Sequence, residues 1–176
     1  MSQQSHAAAA LLTCALLFSN SVHADNAVQS LAGRYDQHHS MGLVGDSRTY
    51  GVDDVAEVVP VSKDAAYVRV SLYFYNGHRC SIRGVARAER GELIYFDPTP
   101  HFEDSPQCVL KISRDGNDLK IDDGDGSCKM YCGLRGGLTN VRLPFSSKQP
   151  IRYMAKLKAS LQYQQAMEAW QSSNSH

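Results

Sequence analysis

Residues Ala66–Tyr75 (AYVRVSLYFY) put Val68, Val70, Leu72 and Phe74 at every second position, with polar or aromatic side chains between them. A period of two means an extended strand with one buried face, because no helix gathers such a set on one side. The turn residues Asn76-Gly77-His78 follow, and from Arg79 to Glu89 the alternation resumes with Cys80, Ile82, Gly84, Ala86 and Ala88. Two alternating segments around a Gly-containing turn form an antiparallel hairpin. A two-residue Asn-Gly loop would set Phe74 against Arg79 and mix the two faces. A loop of three or five residues keeps both apolar sets together, since a one-residue slip flips every side chain. The expected register pairs Phe74 with Cys80, Leu72 with Ile82 and Val70 with Gly84.

The same signals recur along the chain. Val55–Val61 (VAEVVPV) reads as a strand, and Pro60 near its end suggests a sheet edge. Glu92–Asp97 (ELIYFD) follows the Arg90-Gly91 turn. Val109–Ser113 and Leu119–Asp122 flank Asp115-Gly116, a two-residue hairpin signal that sets Ile112 opposite Leu119 and Leu110 opposite Ile121. Ser127–Gly133 predicts one helical turn, and Val141–Phe145 a last strand. The polar, Gly-rich text from Ala27 to Gly51 leaves a choice between a first strand and a short helix, followed by a loop.

From Lys148 to about Ser172 the pattern is helical, with Pro150 in the first turn, where its missing N–H does little harm. The apolar stripe moves from Met154, Leu157 and Leu161 to Tyr163, Met167 and Trp170. The helix therefore breaks near Ala159-Ser160, or its halves pack on different surfaces. About six to eight short strands joined by turns predict a mainly β fold, an antiparallel meander or small barrel, with the C-terminal helical segment over an opening or edge. The expected organisation is a signal peptide at 1–24, a disulfide-bonded β domain at 25–147 and a helical segment at 148–176.

The signal assignment rests on Ala7–Phe18 (AAAALLTCALLF), an apolar run too short for a membrane span, and on Val22-His23-Ala24, which fits cleavage after Ala24. The run is unusual in having no Lys or Arg before it. Cleavage removes Cys14 and leaves Cys80, Cys108, Cys128 and Cys132. An even number of cysteines in an exported domain implies disulfides and a periplasmic or secreted location. Three connectivities are open. A helical turn through Lys129-Met130-Tyr131 would bring Cys128 to Cys132, leaving Cys80 to Cys108, and this pairing is preferred. Cys-x₃-Cys with two scattered partners does not have zinc-site spacing.

The net charge is zero, with 18 acidic and 18 basic side chains, which argues against a nucleic-acid binder. Charge is nevertheless segregated. Residues 89–128 carry ten acidic and four basic side chains, and residues 129–176 one acidic and seven basic. The C-terminal segment is therefore expected to pack over the acidic hairpins. Asp122-Asp123-Gly124-Asp125-Gly126 lacks the EF-hand spacing and reads as a solvated turn. His38-His39 with Asp36 and Asp46 is the best candidate for metal or acid–base chemistry, but adjacent strand residues point to opposite faces. Ser47 lacks a nucleophile elbow. No catalytic residue, metal or other cofactor is expected, and the chain is read as a binding protein, not an enzyme.

The arrangement Cys80-Ser-Ile-x-Gly, Cys108-Val-Leu-x-Ile and Gly126-Ser-Cys128-x₃-Cys132-Gly133, over residues 65–145, resembles small disulfide-bonded periplasmic proteins of Gram-negative bacteria, the lysozyme inhibitors among them. That resemblance implies inhibition of a cell-wall hydrolase by surface complementarity. The C-terminal helix lies outside their usual small barrel. The hairpin supplies a candidate surface of its own: opposite the apolar face lie Tyr67, Arg69, Ser71, Tyr73 and Tyr75, joined by Arg79, Ser81, Arg83, Val85 and Arg87. Tyr and Arg are enriched at binding hot spots. Tyr67, Arg69, Tyr73, Tyr75, Arg79, Arg83 and Arg87 are thus the expected contacts to a protein partner with an acidic cleft. A small-molecule carrier with a hollow barrel and a structural protein of the envelope are the alternatives.

Overall fold

In a computed structural model that describes residues 27–45, 47–98 and 106–174, eight strands run in one antiparallel meander. They are β1 (Gly33–Gly42), β2 (Thr49–Pro60), β3 (Ala65–Phe74), β4 (His78–Glu89), β5 (Glu92–Phe96), β6 (Val109–Asp115), β7 (Asp118–Asp122) and β8 (Val141–Pro144). Three short helices accompany them: α1 (Ala27–Leu31), α2 (Met154–Lys158) and α3 (Leu161–Ser173). The expected signal segment lies outside the described residues. Past β8 the chain turns back to β1, where Arg34 and Gln149 exchange two backbone hydrogen bonds of 2.8 Å. The sheet is thereby nearly closed into a barrel, which removes most of its free edge.

The inward side chains of every strand fill the barrel. Leu72, Ile82, Leu93, Leu110, Ile112 and Leu143 are each at most 1% exposed. Burying a side chain of this size contributes roughly 1.5–3 kcal/mol, so this core accounts for much of the folding drive. Helix α1 touches β2, β4, β5 and β6, and Val28 and Leu31 are fully buried there. Tyr35 donates to the Leu31 carbonyl at 2.9 Å, which fixes α1 against β1. The interior that a carrier would need hollow is thus packed with side chains.

The β3–β4 hairpin has the shorter of the two permitted loops. Tyr75–Gly77 form a three-residue turn, and Leu72 pairs with Cys80, Val70 with Ile82 and Val68 with Gly84. The expected pairs are displaced by two residues, which leaves every side chain on its expected face. Asn76 (φ 64°) and Gly77 (φ 73°) both take the left-handed conformation, which Asn and Gly tolerate best and which lets the turn close in three residues. The β6–β7 register shifts in the same way. Its loop is Gly116-Asn117, so Ile112 faces Ile121. Gly116 has φ +61° at the first loop position, as a type II′ turn requires.

Other expectations are corrected. The 27–51 stretch holds both α1 and β1, and β2 begins at Thr49. Strand β2 is not an edge. It pairs with β1 and β3, and Pro60 sits at its last position, where the ladder ends. Lys148–Pro150 is extended against β1 and does not start a helix, while the break at Ala159-Ser160 separates α2 from α3. Ser160 caps α3 by accepting a hydrogen bond from the Tyr163 amide at 3.3 Å. The disulfides are Cys80–Cys132 and Cys108–Cys128, not 80–108 and 128–132. The turn Lys129–Tyr131 is a 3-10 turn, and Cys132 beyond it is extended and bridges β4 at Cys80. Backbone pairing with β4 thus carries Cys132 away from Cys128. Two disulfides indicate an oxidising, exported setting. Among the described residues, no helix is long and apolar enough to cross a membrane.

Candidate functional site

The outer face of β3 and β4 carries the expected row, with Tyr67 opposite Val85, Arg69 opposite Arg83, Ser71 opposite Ser81 and Tyr73 opposite Arg79. The helical segment divides it. Tyr67 is 1% exposed beneath α3, its ring 4.8 Å from that of Tyr163. It joins Val59, Ile151 and Leu157 in a second apolar cluster outside the barrel. Tyr67 is therefore a packing residue, not a partner contact. The expectation that the basic C-terminal segment covers the acidic hairpins is also corrected, because α3 lies on the Arg-rich face. Arg142 of β8 supplies the cation to those hairpins instead, at 2.7 Å from Asp115 and 3.4 Å from Asp118.

A line of charge crosses four strands, since Arg34 pairs with Glu57, Glu57 with Arg69 and Arg69 with Arg83. Glu57 is fully buried on the outer face, and it accepts Arg69 Nε at 2.6 Å, Arg34 Nη1 at 3.5 Å and the Tyr153 hydroxyl. This network anchors the start of the helical segment to the sheet. Arg69 is held by Glu57 and is not free for a partner. Arg83, next in the line, makes no hydrogen bond or ion pair among the described residues. Directly opposed like charges repel, and Glu57 relieves that repulsion for Arg69 alone.

The other half of the face is bare. Arg79 stacks over Tyr73 at 5.2 Å and donates to Ser71 Oγ at 3.1 and 2.8 Å, which fixes both side chains. Tyr75 is exposed beside the tip of the β1–β2 hairpin, its hydroxyl 3.4 Å from the Leu43 carbonyl. Leu43, Val44, Tyr50 and Tyr75 are 41%, 61%, 40% and 48% exposed. Only Tyr75 of these four was expected. Leu43 and Val44 lie in a stretch read as a polar loop.

A groove of about 460 Å³ opens between α3 and the barrel wall. It exists because β4 and β5 pair only over Arg87–Glu89 and Glu92–Ile94 and part beyond that. Arg83, Val85 and Arg87 of β4, Ile94 and Phe96 of β5 and Trp170 of α3 form its sides. Arg87 stacks on Trp170 at 4.3 Å and donates to Asn174, so it is part of the wall. Tyr95 fills the parting, its ring against Gly84. Asp97 is 4% exposed and accepts a hydrogen bond from Tyr131. Burial pushes the Tyr95 phenol up to about 12, helped by the Asp97 carboxylate. The same two causes, in the same order, hold Tyr131 far above its usual value. Neither phenol is a nucleophile near neutral pH.

Arg83 and Arg87 were expected at a binding surface, but the groove itself was not legible. It depends on where the β4–β5 ladder stops and on α3, which no local pattern places. His38 Nδ1 lies 2.8 Å from Asp53 and His39 Nε2 lies 3.4 Å from Asp54, as neighbours on opposite faces. Asp36 accepts Gln149 Nε2 at 2.6 Å, and Asp46 lies outside the described residues. The histidines therefore do not converge. The Asp122–Gly126 turn is not simply solvated. Asp123 is buried and accepts the Cys128 amide at 3.1 Å and the Thr139 hydroxyl at 2.6 Å, holding the disulfide-bearing turn. Among the described residues, no group of three or more His, Cys, Asp or Glu side chains gathers as a metal site. No protein-family model, curated protein or solved structure matches the chain.

Proposed function

We propose that this protein is exported to the periplasm by a cleaved signal peptide and there binds a protein partner with the end of its barrel that carries the β1–β2 tip and the β3–β4 turn. The partner is a cell-wall hydrolase with an acidic cleft, which the bound barrel blocks. One observation carries this reading: the exposed side chains Leu43, Val44, Tyr50 and Tyr75 at the β1–β2 tip and the β3–β4 turn, beside the fixed Tyr73–Arg79 pair. Exposed apolar side chains next to Tyr and Arg are the composition of a hot spot. Side chains already fixed in place lose less conformational freedom on binding. The basic side chain of Arg79 on the same face favours an acidic counterpart. The choice of a hydrolase rests on the loose family resemblance.

The test is inhibition of peptidoglycan lysis by a panel of muramidases. At least one should be inhibited at micromolar protein. The Val44→Asp, Tyr75→Ala double variant should lose that inhibition by a factor of about 100 or more, since hot-spot truncations cost about 2 kcal/mol or more each. Its melting temperature should stay within a few degrees, because both side chains are exposed. If no enzyme of the panel is inhibited, or the variant inhibits as well as the parent, the reading is wrong.

A further inference from the structure

The groove under α3 is separate from the β1–β2 tip and the β3–β4 turn and has its own chemistry. Its volume of about 460 Å³ lies in the range of small-ligand sites, roughly 300–1,000 Å³. Val85, Ile94, Phe96 and Trp170 offer an apolar slot. Arg83 stands at its side as the one member of the Arg34–Glu57–Arg69–Arg83 line that no carboxylate neutralises among the described residues. Its neighbour Arg87 is already stacked on Trp170 and bonded to Asn174. Asp97, deeper in the wall, has its carboxylate covered by the Tyr131 hydroxyl. A negative group is thus attracted at the Arg83 side and repelled towards Asp97, which orients an elongated ligand.

We propose that this groove binds a small amphipathic anion: a carboxylate, sulfonate or phosphate head on Arg83, with an apolar body along Val85, Ile94, Phe96 and Trp170. An unpaired guanidinium offers such a head two parallel donors. The ligand and the protein partner occupy different surfaces, so the β1–β2 tip and the β3–β4 turn stay free when the groove is filled.

Trp170 is the chain's only tryptophan, so its emission reports on the groove directly. The purified, disulfide-bonded protein is titrated with dodecanoate and with dodecyltrimethylammonium, both below their aggregation concentrations. Dodecanoate should shift or quench Trp170 emission saturably and bind at least tenfold tighter than the cation. Arg83→Ala should weaken dodecanoate at least tenfold and leave the melting temperature within about 2 °C, since surface changes away from specific contacts are nearly neutral. Arg83→Lys should restore part of the affinity through its point charge. Equal binding of the two probes, tighter binding of the cation, unchanged affinity in Arg83→Ala or the absence of any saturable change would overturn the proposal.

Discussion

Gly84→Ala is the sharpest test of the parted wall. Gly84 has an ordinary backbone conformation, so alanine is not excluded by φ. By backbone entropy alone, such a replacement stabilises by about 0.4–1 kcal/mol. The structure reverses that sign. A Cβ on Gly84 would lie 2.0 Å from Tyr95 Cε2 and 2.7 Å from Cδ2 and Cζ. The ring must retreat by more than about 1 Å to reach ordinary van der Waals contact. It has little room to do so, because Tyr95 is 6% exposed and its hydroxyl sits beside Tyr131 and Asp97. Overpacking of this kind costs about 1–3 kcal/mol. At about 2–4 °C per kcal/mol for a domain of this size, the melting temperature should fall by roughly 2–12 °C. In a Tyr95→Leu background the clash is gone, and Gly84→Ala should be neutral or stabilising. The assay is a thermal-melt double-mutant cycle followed by circular dichroism. Equal effects of Gly84→Ala in the two backgrounds would refute the argument, since the cost would then have nothing to do with the ring.

Two further outcomes follow from the cross-links and the buried phenols. Peptide mapping should find Cys80 joined to Cys132 and Cys108 to Cys128. The sequence separations of 52 and 20 correspond, by loop-closure entropy, to about 4 and about 3 kcal/mol, so removing the first pair should lower the melting temperature more than removing the second. A reversed order would show that native-state strain, not chain entropy, governs these bonds. Tyr67, Tyr95 and Tyr131 are all pushed upward, chiefly by burial, so the folded state favours their neutral forms. Their contribution is fully present below the unfolded tyrosine value of about 10 and is lost as pH rises through about 12, the folded value of Tyr95. Melting temperature should therefore fall steeply above pH ~10, with a late step in phenolate absorbance that coincides with unfolding. Complete phenolate formation near pH 10 in a still-folded protein would contradict this.

What was legible in the sequence was whatever depends on parity. The alternation of Val68, Val70, Leu72 and Phe74 decided which face is buried, and that assignment survives a two-residue change of register because the side-chain period is two. Turn residues marked the hairpins, and the break at Ala159-Ser160 was one of the two readings that the rotation of the helical stripe left open. The even set of four cysteines announced cross-links but not their partners. Cys132 meets Cys80 because residue 132 is brought alongside β4 by the folded barrel, and spacing along the chain does not record that distance.

The tertiary structure decided the rest, for one physical reason. Closing a sheet and laying a helix over it brings together residues that are far apart in sequence, with affinities too generic to show in a local pattern. Glu57 gave no hint of its role inside an apolar run. It became an anchor when Arg34, Arg69 and Tyr153 converged on it from three other segments. The same closure buried Tyr67, set Arg83 at the side of the groove and brought Leu43 and Val44 beside Tyr75. A strand fixes which way its side chains point. The barrel alone fixes which of those directions still lead to solvent.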